Sequence, residues 1–486
     1  MKNFFFSSIY TPIIFFSCIL LEIFSACSNS KHAAETSNEI PTIFPDYTFV
    51  TIPADIAPLN FRVDGATTHK ATFLTSSNTE LFTITGKDHI EIPIKKWNKI
   101  TRLLAGDTIK VALSIWNTEH PQGITYQTFP IAISKDPIDP YIAYRLIDPG
   151  YEPWHHMGLY QRELKTFKET SFVNNDQKTT KCFNCHTFHK NSPNTFVYHE
   201  RGDEGGTIIV KNNTIQKINL KSLGNKQQGV YPSWHPNGRW IIFSSNQSLQ
   251  SFYSQGKKAL EGFDNGSDLL LYDTEKQEVL TDKRFNQSMN WETFPTWSPD
   301  GKYLYFCTAE PEENIPIKCT NVKYSLVRIN FDEKSGIFGE EVDTLYNTNI
   351  RLGSVSHPRI SANGRYLLYS EAAYGTFPIW HAETDLRIMD LQERKELDTS
   401  ILNSSETESF HSWSSNGKWI LFTSRRMDGR HTRLYIAHFD ENGGIGKPFM
   451  LPQKNPEDNW TRIRSYNVPD FVTGKITYRY SYKNNY

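Results

Sequence analysis

The residues best suited to chemistry stand together at Lys181-Cys182-Phe183-Asn184-Cys185-His186. Cys-x-x-Cys-His is the attachment signature of a c-type haem. Two thiols three residues apart reach both vinyl groups of one porphyrin, and the adjacent His then lies under the iron as proximal ligand. On this basis Cys182 and Cys185 are expected to carry one covalent haem c and His186 to ligate its iron. Two other readings of the motif remain. A thioredoxin-like redox pair would open a helix in a βαβ unit. Half of a zinc site would need a second ligand pair, for which His189 and His199 are the nearest histidines.

The sixth iron position has several candidates: His199, thirteen residues after His186; Met157; the neighbouring His155 and His156; or no protein ligand. The choice sets the chemistry, because axial Met raises the reduction potential and an open position admits small ligands. Arg201 is a candidate partner for a haem propionate. Cys307 and Cys319 flank a polar loop, and in an oxidising compartment they are expected to pair as a structural disulfide, with two buried thiols as the alternative. The carboxylates Glu310, Glu312 and Glu313 in that loop read as solvated residues. There is no Gly-x-Ser-x-Gly elbow, no His-Glu-x-x-His helix and no phosphate loop.

Far upstream of the motif, residues 1–26 have a basic start at Lys2, a largely apolar stretch from Phe4 to Phe24, and Ser25-Ala26 directly before Cys27. This resembles the lipobox of a bacterial lipoprotein, in which Cys27 would become the lipidated N-terminus; an ordinary cleaved signal peptide and an uncleaved anchor are the alternatives. The resemblance implies an outer-membrane or periplasmic lipoprotein that meets the membrane through its lipid. Across the 486 residues, 52 Lys and Arg face 53 Asp and Glu. That balance gives no basic field for a nucleic-acid partner.

Residues 27–48 read as a polar tether linker. Residues 49–135 hold short alternating runs, among them Asn60–Val63, Ile90–Ile94 and Thr108–Ile115, which point to a β-sandwich that acts as a spacer or docking module. Residues 136–180 are rich in Pro, Tyr and Trp and read as an ordered connector, with a short helix expected between Gln161 and Glu169. The rest repeats. Tyr231-Pro232-Ser233-Trp234, Phe294-Pro295-Thr296-Trp297, His357-Pro358-Arg359-Ile360 and Phe410-His411-Ser412-Trp413 each lead into an Asn-Gly or Asp-Gly turn, at Gly238, Gly301, Gly364 and Gly417, and then a second apolar strand. The glycine supplies the positive φ of a tight hairpin. Two hairpins per period make a four-stranded blade.

These repeats are similar to the WD40-like propeller repeats of the TolB family. Degenerate copies near Thr187–Tyr198, turning near Ser192, and near Tyr466–Ile476, turning at Gly474, bring the count to six. The resemblance implies an all-β chain: a β-sandwich followed by a six-bladed β-propeller over residues 181–486, with the haem motif at the edge of the first blade. The functional expectation is an exported, lipid-anchored, cytochrome-like protein that passes single electrons to or from a redox partner in the cell envelope. The alternative is a propeller that docks other envelope components, its haem structural or sensory. Electron carriage or binding is favoured over catalysis.

Overall fold

Each of the four repeat hairpins turns where Asn or Asp precedes Gly. Gly238, Gly301, Gly364 and Gly417 have φ of 73°, 73°, 75° and 69°, a region that side chains with a Cβ seldom enter. The computed structural model describes residues 32–148, 157–174, 182–202, 205–222, 228–254, 260–280, 282–285 and 290–479. The leader, Cys27, His155 and His156 lie outside the described residues.

Six four-stranded antiparallel sheets form the expected six-bladed propeller. Blade I contains Cys182–Phe188, Thr195–Arg201, Gly206–Lys211 and Thr214–Ile218. Blades II to V begin with the strands Val230–Trp234, Trp291–Trp297, Ser354–Ile360 and Glu408–Trp413. Five apolar cores lie between successive blades from VI round to V; the core between I and II, for example, joins Val197 and Ile209 to Trp234 and Ile241. The repeat tryptophans stitch the ring. Trp297 Nε1 donates to the Ser233 carbonyl (3.3 Å) and Trp413 Nε1 to the Arg359 carbonyl (3.1 Å), each one blade back.

Blade VI corrects the expected boundary. Tyr141–Ile147, Gly158–Glu163 and Glu169–Asn174, assigned above to the connector, are three of its strands, and the C-terminal Ser465–Val472 is the fourth. The last repeat copy therefore ends without a hairpin of its own at Gly474; its second strand comes from residues 141–147, in register Ser465↔Ile147 to Val472↔Tyr141. No helix forms between Gln161 and Glu169. Gln161 and Arg162 look like surface residues in sequence, yet both are buried: Gln161 exchanges two hydrogen bonds of 2.8 Å with the Ile476 backbone, and Arg162 Nη2 donates to the Pro452 carbonyl at 2.6 Å.

In the N-terminal unit the alternating strands form one seven-stranded hydrogen-bonded network. Thr108–Trp116 pairs with Thr68–Leu74 along one edge and with Phe129–Ser134 and then Ile124–Thr125 along the other. The run Ile90–Ile94 is not a strand: Ile90 makes one bridge to Phe61, and helix Ile94–Leu103 follows Pro93. A proline at the helix start costs no hydrogen bond, since the first amides have no helical acceptor. The helix buries Trp97 and Thr101 against the sheet.

Candidate cofactor site at the propeller channel

The Cys-x-x-Cys-His motif lies on the first strand of blade I. In every blade this strand is interrupted once by a bulge at a residue with positive φ: Cys185 (51°), Tyr231 (46°), Phe294 (52°), His357 (54°), Phe410 (42°) and Val468 (46°). Each coincides with a register shift, such as Asn184/Thr187 in blade I and Ser356/Arg359 in blade IV. A bulge re-aims the side chain of its extra residue. Cys185 is thus the blade I member of a six-fold set, and His186 occupies the place held by proline in blades II, III, IV and VI. The repeat begins at Cys185, two residues earlier than the sequence alignment placed it.

Cys185, His186, Tyr231, Phe294, His357, Arg359 and Val468, with Pro232 and Pro295, line one small cavity of about 30 Å³. His186 is 2 % exposed, and neither of its ring nitrogens has a hydrogen-bond partner. Burial, with the nearby Arg145 and Arg359 cations, lowers its pKa to about 3, so the ring is neutral at ordinary pH. A neutral imidazole with its nitrogens uncommitted is the form that binds a metal.

Cys182 is buried, and Cys185, which lines the cavity, is half-buried. Desolvation raises both thiol pKa values, and Arg145 and Arg201 oppose the shift at each. This is the reverse of a thioredoxin-like dithiol, whose reactive thiol is acidified, and the pair lies on a strand, not at a helix start. The zinc alternative is not assembled either. His189 Nε2 sits 3.1 Å from the Pro236 carbonyl and His199 Nδ1 3.2 Å from Thr207 Oγ1, and among the described residues no three His, Cys, Asp or Glu side chains converge on a metal position.

Of the distal candidates, Met157 is brought to the motif: its Sδ lies 3.5 Å from Cys182 Sγ, and both are buried. His199 stands across the strand pair from Asn184 and is buried, with a pKa of about 3 from burial and Arg201. Arg145 bridges the motif strand and blade VI, its Nη1 donating to the Phe183 carbonyl (3.4 Å) and its Nη2 to Asn467 Oδ1 (2.7 Å). The donor set matches a c-type haem in kind: two thiols, one uncommitted neutral imidazole and two neighbouring arginines. The expected Cys307–Cys319 disulfide is not formed; both are thiols. Cys307 faces the core between blades III and IV, whereas Cys319 lines a small cavity with Gly262, Asp264 and Thr376.

Sequence reasoning missed His357 and Arg359. The signal was available, because His357 stands at the start of its repeat where the aligned copies carry Tyr or Phe, and Arg359 where they carry Ser or Thr.

No family model matches the sequence, and no curated protein does. Among solved structures the chain is similar to TolB from Acinetobacter baumannii, at 13% identity over 78% of this chain and 85% of that one, with a TM-score of 0.42. It is also similar to a puromycin-hydrolyzing peptidase of Mycobacterium tuberculosis (10% identity, 72% of this chain, 52% of that one, TM-score 0.37). A putative 6-phosphogluconolactonase from Bacteroides fragilis gives 11%, 65%, 96% and 0.34. The chain spans about half the length of that peptidase.

Proposed function

We propose that this chain is an exported protein, lipid-anchored through Cys27, that holds one covalent c-type haem on its propeller and passes single electrons to or from a partner protein in the cell envelope. The observation that carries this reading is His186: a buried, neutral imidazole with both nitrogens uncommitted, on one bulged strand with the thiols of Cys182 and Cys185. A buried polar group left without a partner costs about 1–3 kcal/mol, a penalty that metal ligation removes.

In this reading Cys182 and Cys185 hold the porphyrin edge and His186 the iron. Met157, already against Cys182, would supply the sixth ligand, with His199 as the alternative. Bound there, the haem would supply a one-electron couple. The chain's own contribution is electrostatic: Arg145 and Arg201 stabilise added negative charge beside the motif, which favours the reduced state.

The test is maturation of the full chain in a host with a c-type haem assembly system. Covalently retained haem is expected in the wild type and lost in Cys182→Ala/Cys185→Ala. Its absence from the wild-type protein would refute the proposal. A retained haem that no redox partner or mediator reduces would move the function to the docking alternative.

A further inference from the structure

The chain holds five Asn-Gly pairs: Asn237-Gly238, Asn265-Gly266, Asn363-Gly364, Asn416-Gly417 and Asn442-Gly443. In such a pair the glycine nitrogen reaches the asparagine side-chain amide easily, because no Cβ on the glycine obstructs the approach. Three of the pairs are repeat turns, and there both reacting groups are engaged. Gly238, Gly364 and Gly417 donate their amides to the carbonyls of His235 (2.9 Å), Ser361 (2.8 Å) and Ser414 (2.8 Å). Oδ1 of Asn237, Asn363 and Asn416 accepts from the amides of Arg239 (2.9 Å), Arg365 (3.1 Å) and Lys418 (3.1 Å). Gly443 is held less firmly, its amide donating to the Asp440 carbonyl at 3.3 Å.

Asn265-Gly266 is placed differently. It lies in the blade II hairpin of Trp240–Phe252 and Leu260–Asp273, whose strands of 13 and 14 residues run well past the seven of Tyr303–Ala309 in blade III. The register steps from Asn246↔Ser267 to Ser248↔Asp264, which leaves Asn265 and Gly266 opposite Gln247 and outside the ladder. Asn265 is exposed, and its side chain makes no hydrogen bond among the described residues. Gly266 has a φ of 138°, a region that favours glycine. Beyond this bulge the hairpin is tied to blade IV, where Tyr374 OH donates to Glu261 Oε1 (2.6 Å) and Thr376 Oγ1 to Asp264 Oδ2 (3.2 Å). The flanking strand is therefore fixed, while the two residues of the bulge are uncommitted.

We propose that Asn265 is a modification site, deamidating through a succinimide closed by Gly266. The Gly266 nitrogen bonds to Asn265 Cγ and the Cγ–Nδ2 bond breaks. Nδ2 leaves as ammonia, taking the proton that the Gly266 amide gives up. Water then opens the ring at either carbonyl, leaving aspartate or isoaspartate and a net exchange of ammonia for water with no change of oxidation state. The chain gains one negative charge on the hairpin that carries Asp264 and Asp268. The site does not depend on a haem.

The experiment is incubation of the full chain in warm, mildly alkaline buffer, folded and in urea, followed over time by peptide mass mapping and ion exchange. In the folded chain Asn265 is expected to convert first, as a mixture of aspartate and isoaspartate. Asn442 should follow more slowly. Asn237, Asn363 and Asn416 should lag Asn265 by about tenfold or more, since two hydrogen bonds must break before each reacts. In urea that protection is lost and the five rates should converge. Asn265→Gln, whose longer side chain closes a ring less readily, should remove the early acidic shift on ion exchange. The proposal is overturned if Asn265 stays intact in the folded chain, or if another Asn-Gly pair converts faster there. Formation of aspartate without isoaspartate, which would exclude the succinimide, also overturns it, as does an unchanged acidic shift in Asn265→Gln.

Discussion

At the scale of single residues, the first strands of the blades bury polar groups without hydrogen-bond partners, among them His186, Glu292 and His357. Glu292, at the entry of blade III, is 4 % exposed, and its Oε2 has no partner. Burial and the neighbouring Asp268 push its pKa up to about 8, and Tyr324 is the other titratable group near it. The folded chain therefore holds a proton that the unfolded chain, titrating near 4.5, releases. The stability this carboxyl contributes is full below about pH 4.5 and falls as pH rises toward 8. Glu292→Gln keeps the shape and removes the charge, so its Tm should match wild type near pH 5 and exceed it at about pH 8.5. Equal melting curves at both pH values would contradict the assignment. Met157 gives a second prediction, which rests on the haem reading: because axial Met raises the reduction potential, Met157→His should lower the midpoint potential of the matured protein, whereas His199→Asn should leave it near the wild-type value. The reverse outcome would make His199 the ligand.

At the scale of elements, the repeat hairpin combines a turn that the sequence states outright with a bulge that it does not. Asn-Gly and Asp-Gly were legible because only glycine adopts a φ of roughly +70° at low cost. The bulge residues were not, because Cys185, Tyr231, Phe294, His357, Phe410 and Val468 share a backbone conformation but no residue type. Hence the motif was legible as chemistry while its place in the channel was hidden. The other three strands of blade VI escaped notice for another reason: they are far from Ser465–Val472 in sequence, and no Asn-Gly turn marks the junction. The four turn glycines allow a controlled test. At Gly301 an added Cβ would lie 2.4 Å from His235 Nε2, whereas at Gly364 it would meet only Pro299 Cδ, at 3.9 Å. Both positions carry nearly the same positive φ, so Gly364→Ala should cost about 1–2 kcal/mol from backbone strain alone. Gly301→Ala should cost clearly more, since it also displaces His235 from its 3.0 Å contact with the Gly301 carbonyl. Denaturant unfolding of the two variants measures the difference, and equal costs would show that the turn relaxes away from His235.

At the scale of the whole molecule, the N-terminal sheet is part of the propeller's packing and not a detached spacer. One core joins Tyr47, Ile52, Trp97 and Ile131 of the N-terminal unit to Trp419, Leu421, Leu434 and Ile436 of blade V and to Tyr144 and Tyr466 of blade VI. Polar contacts follow the same seam. Asp139 accepts from the Ser415 amide (2.7 Å) and hydroxyl (2.6 Å), Asn60 Nδ2 donates to the Lys454 carbonyl (2.8 Å), and Lys447 pairs with Asp46 (2.7 Å). Blades V and VI are also where the ring closes, because residues 141–147 continue directly from the sheet and receive the C-terminal strand. The sheet therefore braces the one blade whose strands come from both ends of the propeller sequence. A shortened chain beginning at residue 136 would expose Trp419, Leu421, Leu434 and Ile436; at about 1.5–3 kcal/mol for each large apolar side chain the loss is roughly 6–12 kcal/mol, an upper figure because unfolded chains already bury some surface. Calorimetry should show one cooperative transition for the full chain, and for the shortened chain a Tm lower by roughly 10 °C or more. Two separate transitions in the full chain, or an unchanged Tm after shortening, would restore the sheet to an independent module.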